Sequence, residues 1–297
     1  MSLKHITRGF RRFLDLGKMP QRINFEHTKL MLENEIADTG RRGVAPQTDT
    51  DREVVVSLTT YGRRLRTVHL AIASMMRQSR KADRIVLWLD SRLAGKPLPA
   101  PLRLLEKKGL EICFCRDVRS FTKLVPALER FPEAVIITVD DDQIYDFDLI
   151  DRLVCGWLEA PEAVHCARMK KIAVKDGRIL PYKKWPIDMS LDPSPLNLAL
   201  GVGGVLYPPH CFGPEVTDSE LFMRLSPSAD DLWFKAQELK YGREVRRVPT
   251  LSNNGEDYIN LPYIAFNEGL AGTNVTGGAN DTCMANLAGY FKPLTEQ

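Results

Sequence analysis

The sequence lacks the features that several large protein classes require. No uninterrupted apolar stretch is long enough to cross a bilayer, and no apolar signal-peptide core precedes the first basic cluster. Six cysteines in 297 residues lie without the close repeated pairs of a structural zinc site or a disulfide framework. Basic residues outnumber acidic ones by only 41 to 38, a net charge of +3, which argues against a nucleic-acid partner. We therefore predict a globular, cytoplasmic protein in a reducing compartment.

Residues 1–50 differ in composition from the rest of the chain. Their basic and apolar residues alternate at helix-like spacing: Lys4, Arg8, Arg11, Arg12, Lys18 and Arg22 surround Leu3, Ile6, Phe10, Phe13 and Leu14. This pattern predicts a short basic amphipathic helix. Contact of residues 1–22 with an anionic membrane, as on the inner face of the plasma membrane, and packing on the protein itself or in a homo-oligomer remain open alternatives. The polar stretch from Thr39 to Asp51 predicts a linker, so we expect an extension over 1–50 and a main domain over 51–297.

Strand and helix patterns alternate from Glu53 onward. Apolar, β-branched runs predict strands over 54–58, 85–89, 110–114 and 134–139, and helical periodicity lies between them. This alternation predicts an α/β fold with a doubly wound, mostly parallel sheet. The second half is less regular, with a predicted hairpin at Asp176-Gly177 and helices over 149–158 and 230–241. We expect a smaller mixed region there, on the acceptor side.

Asp140, Asp141 and Asp142 directly follow the buried run that ends at Val139. Ligands bind at the carboxyl ends of strands in open α/β sheets, and three adjacent carboxylates repel one another unless a cation compensates. Mg²⁺ and Mn²⁺ prefer oxygen ligands and keep positions open for phosphates, so the cluster predicts a site for either ion with a nucleotide diphosphate. The alternative is a solvated acidic turn, with Asp146 or Asp148 capping the next helix.

The segment 136–145 resembles the DxD region of nucleotide-sugar transferases with the GT-A fold, especially family 2-like enzymes of bacterial polysaccharide assembly. Upstream, Val56 to Gly62 with Arg63 or Arg64 looks like the first strand and nucleotide-contacting loop of that group. The resemblance covers roughly residues 53–245 and implies a Rossmann-like GT-A fold. It also implies a nucleotide-sugar donor, a UDP-sugar by preference, and a saccharide or lipid-linked acceptor.

The same resemblance assigns roles on the donor side. Asp140 faces the ribose or the metal, Asp142 ligates the metal, and Asp141 orients water or the donor sugar. The donor-loop residues that the resemblance places near base and ribose are Thr59, Thr60, Tyr61 and Arg63. Lys123 lies near the donor phosphates, where its charge stabilises the diphosphate; a helix-surface lysine is the alternative.

Two later motifs complete the resemblance. Gly203 and Gly204 belong to a loop that borders donor sugar and acceptor, although these glycines are also consistent with a bend before Pro208-Pro209. Asp231, or else Asp230, resembles the base that deprotonates the acceptor hydroxyl in inverting enzymes. The alternative is that Asp230 caps the helix and Asp231 is solvated.

The tail and one histidine are weaker candidates. A loop rich in glycine and asparagine, with Asn267, Asn274, Asn280 and Asp281, could close over a donor, and His210 could supply a third metal ligand. The resulting hypothesis is an inverting, metal-dependent glycosyltransferase of polysaccharide biosynthesis. Its rivals are a sugar nucleotidyltransferase and a non-catalytic carbohydrate-binding or scaffold subunit.

Overall fold

The computed structural model describes residues 19–38, 40–46, 50–261 and 278–295. The strands in this part of the chain are β1 Val54–Thr59, β2 Arg84–Asp90, β3 Leu110–Cys115, β4 Val135–Thr138, β5 Gln143–Tyr145, β6 Val164–Cys166, β7 Met169–Lys171, β8 Val174–Lys175, β9 Arg178–Ile179, β10 Ile187–Asp188, β11 Asn197–Ala199, β12 Val205–Tyr207, β13 Val245–Arg247 and β14 Tyr258–Asn260. The α-helices are α1 Met19–Ala37, α2 Val68–Met76, α3 Ala100–Lys107, α4 Val125–Arg130, α5 Leu149–Glu159, α6 Ser219–Leu225, α7 Asp230–Lys240, α8 Ala279–Asn286 and α9 Ala288–Phe291.

Seven strands form the central sheet, in the order β13-β6-β12-β4-β1-β2-β3. β1 pairs in parallel with both neighbours, so that Val56 lies opposite Ile85 of β2 and Ile137 of β4. β12 runs antiparallel to β4 and β6, while β13 is parallel to β6. The chain runs from β1 outward to β2 and β3, then returns to the other side of β1. The carboxyl ends of β1 and β4 therefore form a topological switch point, where such sheets bind ligands.

Both faces of the central sheet are covered by helices. Along β1, Val55 packs into one core, whereas Val54, Val56 and Leu58 pack into the other. Helices α4 and α6 to α9 belong to the first core, and α1, α2, α3 and α5 to the second. Burial on both faces explains why these strands are continuous apolar runs. The predicted α/β class, with a doubly wound and mostly parallel sheet, is confirmed.

The second half of the chain adds small antiparallel sheets, as predicted. β7 pairs with β10 and β11, and β14 pairs with β5. β8 and β9 form the hairpin predicted at Asp176-Gly177. Both turn residues are left-handed, with φ of 50° and 68°, as a two-residue primed turn requires.

The sequence pattern does not predict α1, because its apolar residues lie on two faces. Phe25, Leu32 and Ile36 pack into the core shared with α2. The stretch 40–46 is hydrogen-bonded to the main domain, for example from Gly43 N to the Lys108 carbonyl at 2.8 Å. The helix predicted over the N-terminal basic residues falls, up to Lys18, outside the described residues. Where the chain is described, no helix is both long and apolar enough to span a membrane.

Candidate active site

Five segments meet at the carboxyl edge of the central sheet. The loop 60–66 follows β1 and the loop 140–142 follows β4, on the two sides of the switch point. The turn 201–204 lies at the same edge, because β12 starts where β4 ends. The first turn of α7 supplies two aspartates, and the 3-10 turn Arg119–Lys123 supplies a lysine.

Asp141 anchors the loop after β1 to the loop after β4. Its buried carboxylate accepts hydrogen bonds from Thr60 Oγ1 at 2.5 Å and from Arg64 Nη1 at 2.7 Å. Burial raises the pKa of Asp141 to about 6, against the opposing effect of Arg64. The three aspartates are thus not a solvated acidic turn. Asp148 does occupy the N-cap position of α5, as that alternative expected, but its side chain makes no capping hydrogen bond.

The loop after β1 places a different arginine at the acidic motif from the one predicted. Arg64 is buried and its Nη2 lies 3.0 Å from Asp142 Oδ2, whereas the predicted Arg63 is exposed. Tyr61 is exposed beside the Arg64 guanidinium, 5.5 Å from the ring centre. Thr59 Oγ1 donates to the Trp88 carbonyl at 3.0 Å. Sequence alone could not choose between the adjacent arginines, and contacts of Thr59, Tyr61 and Arg63 with a donor stay predictions.

Asp140 and Asp142 have the donor chemistry of a divalent-cation site. Burial raises the pKa of Asp142, and repulsion from the nearby Asp140 carboxylate raises it further. Among the described residues no group of three His, Cys, Asp or Glu side chains could hold a metal ion. Mg²⁺ is often bound by only one or two carboxylates with water and substrate phosphates. The two carboxylates therefore fit Mg²⁺ or Mn²⁺ whose other ligands are water or phosphate oxygens.

Lys123 lies between two acidic motifs, Asp140 to Asp142 after β4 and Asp230-Asp231 at the start of α7. Its buried Nζ lies 2.9 Å from Asp140 Oδ1 and 3.2 Å from Asp230 Oδ2. Burial disfavours the ammonium, but Asp140, Asp230 and Asp231 outweigh this effect and the pKa of Lys123 lies well above its usual value. Lys123 is therefore a permanent buried cation rather than a helix-surface lysine.

Asp230 and Asp231 lie in the first turn of α7, and neither caps it. Asp230 is buried against Lys123, so the predicted cap at Asp230 is wrong. Asp231 is partly exposed, and its Oδ1 accepts a hydrogen bond from Gly201 N at 3.2 Å. Burial and then repulsion from Asp230 raise the pKa of Asp231 to about 8. A carboxylate with this pKa is a stronger base than an ordinary aspartate.

The glycines before β12 serve close packing. A Cβ on Gly203 would lie 2.6 Å from Arg168 Cβ, and Gly204 has φ of +90° and faces Leu149. Gly201, which was not among the predicted site residues, is the glycine at the charged cluster: a Cβ there would lie 2.4 Å from Lys123 Nζ. The repeated glycines at 201, 203 and 204 indicated a close approach of the backbone in this turn. The sequence did not indicate which of the three lies against the charged cluster.

Two further predicted residues are not part of this cluster: His210 lies far from it, and Asp281 makes a structural contact. His210 is exposed and lies 2.9 Å from Glu133, which precedes β4 at the opposite edge of the sheet. The proposal of His210 as a third metal ligand is therefore wrong. Asp281 accepts a hydrogen bond from Tyr182 N at 2.7 Å and so fixes α8 to that loop. Asn267 and Asn274 lie outside the described residues.

Comparison with known proteins gives only distant likenesses. No protein-family profile and no curated protein matches the chain. A CMP-2-keto-3-deoxy-manno-octonic acid synthetase solved with CTP is 12% identical, with 66% of this chain and 88% of that chain covered and a TM-score of 0.40. A 4-diphosphocytidyl-2C-methyl-D-erythritol synthase is 9% identical, with 47% and 73% covered and a TM-score of 0.33.

A mannosyltransferase from Pyrobaculum calidifontis, solved with GDP-Man and Mn²⁺, is also similar to the chain. It is 17% identical, with 78% of this chain and 66% of that chain covered and a TM-score of 0.42. Two of these three neighbours are a synthetase and a synthase, and the third is a mannosyltransferase. Likenesses this distant assign no chemistry to this chain.

Proposed function

We propose that the protein is a metal-dependent glycosyltransferase that moves a sugar from a nucleotide diphosphate to a hydroxyl of a saccharide or lipid-linked acceptor, with inversion. The observation that carries the proposal is the shared lysine: Lys123 contacts Asp140 of one acidic motif and Asp230 of the other. Glycosyl transfer needs stabilisation of a departing diphosphate and a base for the acceptor, about one sugar apart. The two acidic motifs supply groups of both kinds at one edge of the sheet.

On the donor side, Asp140 and Asp142 would hold the metal, which when bound neutralises charge on the departing diphosphate. Lys123 adds a fixed positive charge from within the protein, where a preorganised cation is more effective than in water. Arg64 and Thr60 hold Asp141, and through it they keep the loop after β1 against the loop after β4. That arrangement supports a nucleotide bound across the switch point.

On the acceptor side, we assign the base to Asp231. Gly201 N holds its Oδ1, which leaves the other carboxylate oxygen for the acceptor hydroxyl. Its pKa of about 8 lies near a physiological working pH, where a general base is most effective. Asp230 is a weaker candidate because it is buried against Lys123.

The first experiment is calorimetric titration of UDP, GDP and CDP into the protein, with and without Mn²⁺. We expect one nucleotide to bind in a metal-dependent way, and Asp142→Ala to weaken that binding at least about tenfold, as loss of a metal ligand should. Asp148→Ala is the matched control, because its side chain makes no capping hydrogen bond. Absence of binding by all three nucleotides under every metal condition would rule out the donor site.

A product assay separates glycosyl transfer from nucleotidyl transfer. A glycosyltransferase given the matching nucleotide-sugar and acceptor releases the nucleoside diphosphate. A nucleotidyltransferase given a nucleoside triphosphate and a sugar phosphate releases pyrophosphate instead. Pyrophosphate release that requires Asp142 would replace the proposed reaction, and binding without either product would favour a non-catalytic subunit.

A further inference from the structure

The segment 168–184 concentrates positive charge on a protein whose net charge is only +3. It contains seven basic residues and a single acidic one, Asp176. Arg168 is paired with Glu256 at 2.6 Å. Lys171 lies 3.7 Å from Asp188. The other five have no carboxylate of the described residues within ion-pair distance, and we call them the basic surface: Lys170, Lys175, Arg178, Lys183 and Lys184.

The hairpin of β8 and β9 places two of these charges directly opposite each other. Val174 and Ile179 pack against the core, so Lys175 and Arg178, which alternate with them, are exposed. Lys175 is the cross-strand partner of Arg178, and like charges in this position destabilise a pair of strands. An anion bound between the two side chains would remove that repulsion.

The 3-10 turn Tyr182–Lys184 returns beside Lys170 and adds two exposed lysines. Lys170 Nζ lies 4.3 Å from the centre of the Tyr182 ring. Burial and then the charge of Arg168 lower the pKa of Lys170, so its half-buried ammonium lacks a compensating anion. Tyr182 N donates to Asp281 of α8 at 2.7 Å, which fixes the turn to the rest of the domain. The basic surface is therefore held on a rigid framework.

The basic surface begins beside the proposed base. Leu200 N donates to the carbonyl of Arg168, just before β7, at 3.0 Å. The next residue, Gly201, is the one whose N–H holds Asp231. Because β7 runs antiparallel to β11, the chain leads away from this point toward Lys175, at most about 23 Å farther at the rise of an extended strand. The positive charge thus extends from the acceptor side over more than the length of one sugar.

The composition of the basic surface selects the kind of partner. Lysine and arginine bind carboxylates and phosphates through charge-assisted hydrogen bonds. Surfaces that dock on bilayers combine basic residues with exposed apolar ones, yet none of the large apolar side chains in 168–184 is exposed. The position beside Asp231 favours a substrate of the site over an unrelated polyanion. An anionic saccharide meets all three conditions.

We infer that the acceptor is an acidic saccharide chain, whose carboxylates or phosphates lie along the basic surface while its reacting hydroxyl meets Asp231. The inference rests on the proposed glycosyltransferase function, for which it names the acceptor class. A neutral chain lacks the groups that the basic surface binds, so the surface selects acidic acceptors.

Binding is tested by calorimetric titration with two acidic polysaccharides, polygalacturonate with its carboxylates and phosphomannan with its phosphates. Galactan and mannan are their neutral counterparts. We expect the protein to bind at least one acidic chain, more weakly as salt rises, and neither neutral chain. The acidic chain that binds more tightly identifies the anionic group that the basic surface recognises.

The double variant Lys175→Gln/Arg178→Gln should weaken this binding about tenfold, because each exposed ionic contact contributes about threefold. Thermal unfolding should show no loss of stability, since the variant removes a repulsive cross-strand pair. Lys96→Gln/Lys107→Gln is the matched control. Both lysines are exposed and lie between β2 and β3, at the end of the central sheet opposite β6, so the same change of charge should leave binding unchanged.

A second measurement connects the basic surface to the reaction. The acidic chain that binds should change the release of nucleoside diphosphate from the matching nucleotide-sugar, as an acceptor or as a competitor of the acceptor. Lys175→Gln/Arg178→Gln should raise the chain concentration at half effect about tenfold without altering nucleotide binding. Binding that leaves this release unchanged would separate the basic surface from the acceptor site and overturn the inference.

Three further results would overturn it: no binding of either acidic chain, equal binding of the neutral chains, and tighter binding of phosphatidylglycerol vesicles or single-stranded DNA that the double variant abolishes. Nucleotide titration keeps the two proposals apart. Failure of the donor site leaves polysaccharide binding intact, and failure of polysaccharide binding leaves metal-dependent nucleotide binding intact.

Discussion

The substitution Asp231→Asn keeps the shape of the proposed base and removes its proton-accepting ability. The amide oxygen can still accept the hydrogen bond from Gly201 N, so the backbone contact survives. We expect turnover to fall by about 10²- to 10⁴-fold, the usual contribution of a general base. In the wild type, turnover should rise with pH until Asp231 is ionised, near pH 8.

The same substitution should stabilise the protein, increasingly so at higher pH. Folding raises the pKa of Asp231 from 3.8 to about 8, first through burial and then through repulsion from Asp230. Between these values the folded protein holds a proton that the unfolded chain has released, so its stability falls as pH rises from about 4 to about 8. Asparagine does not titrate, so the variant escapes this loss.

The size of the effect follows from the shift. A pKa raised by about four units lowers the unfolding free energy of the wild type by about 6 kcal/mol above pH 8. Two effects reduce this figure for the variant: Asp231 is partly exposed, and Lys123 loses one neighbouring anion. We therefore expect Asp231→Asn to gain about 2 kcal/mol of unfolding free energy over the wild type. For a chain of this size that is a rise in Tm of about 3 °C.

Thermal unfolding at about pH 5, 7 and 9 measures this difference, alongside turnover at the same pH values. Asp230→Asn is the comparison: it breaks the buried contact with Lys123 and should lower stability rather than raise it. A stability difference between Asp231→Asn and the wild type that does not grow with pH would refute the assigned protonation. Turnover within tenfold of wild type would refute the assignment of the base.

Three further predictions concern the cluster and its surroundings. Lys123→Met should cost about 3–5 kcal/mol of unfolding free energy, as breaking a buried ion pair does, and weaken nucleotide binding by calorimetry; a fully stable variant would contradict the network. Gly201→Ala should cost about 1–3 kcal/mol in denaturant unfolding, because its Cβ would crowd Lys123. Gly289→Ala, in helix α9 with open space around its Cβ, should instead raise stability by up to about 1 kcal/mol. His210→Ala should not alter metal-dependent nucleotide affinity, since His210 lies at the opposite edge of the sheet; a tenfold loss would place it in the site after all.

The sequence alone determined the features that depend on local pattern. The continuous, β-branched apolar run before Asp140 is typical of a strand buried on both faces, so it predicted three carboxylates at the ligand-binding edge of an α/β sheet. Asp176-Gly177 likewise determined its hairpin, because few other residue pairs accept two left-handed conformations in a row. Helix α1 escaped detection for the corresponding reason, since apolar residues on two faces weaken the periodicity.

Tertiary structure alone decided what each charged residue touches. Three consecutive aspartates are equivalent in a local pattern, yet Asp141 turns inward to Arg64, 77 residues earlier in the chain, while Asp140 meets Lys123. Local periodicity fixes which face of an element a residue occupies, not which distant segment the sheet brings beside it. The ionisation of Asp231 depends on such distant partners, because burial and the charges of Asp230 and Lys123 set its pKa only once α7 has packed against the sheet.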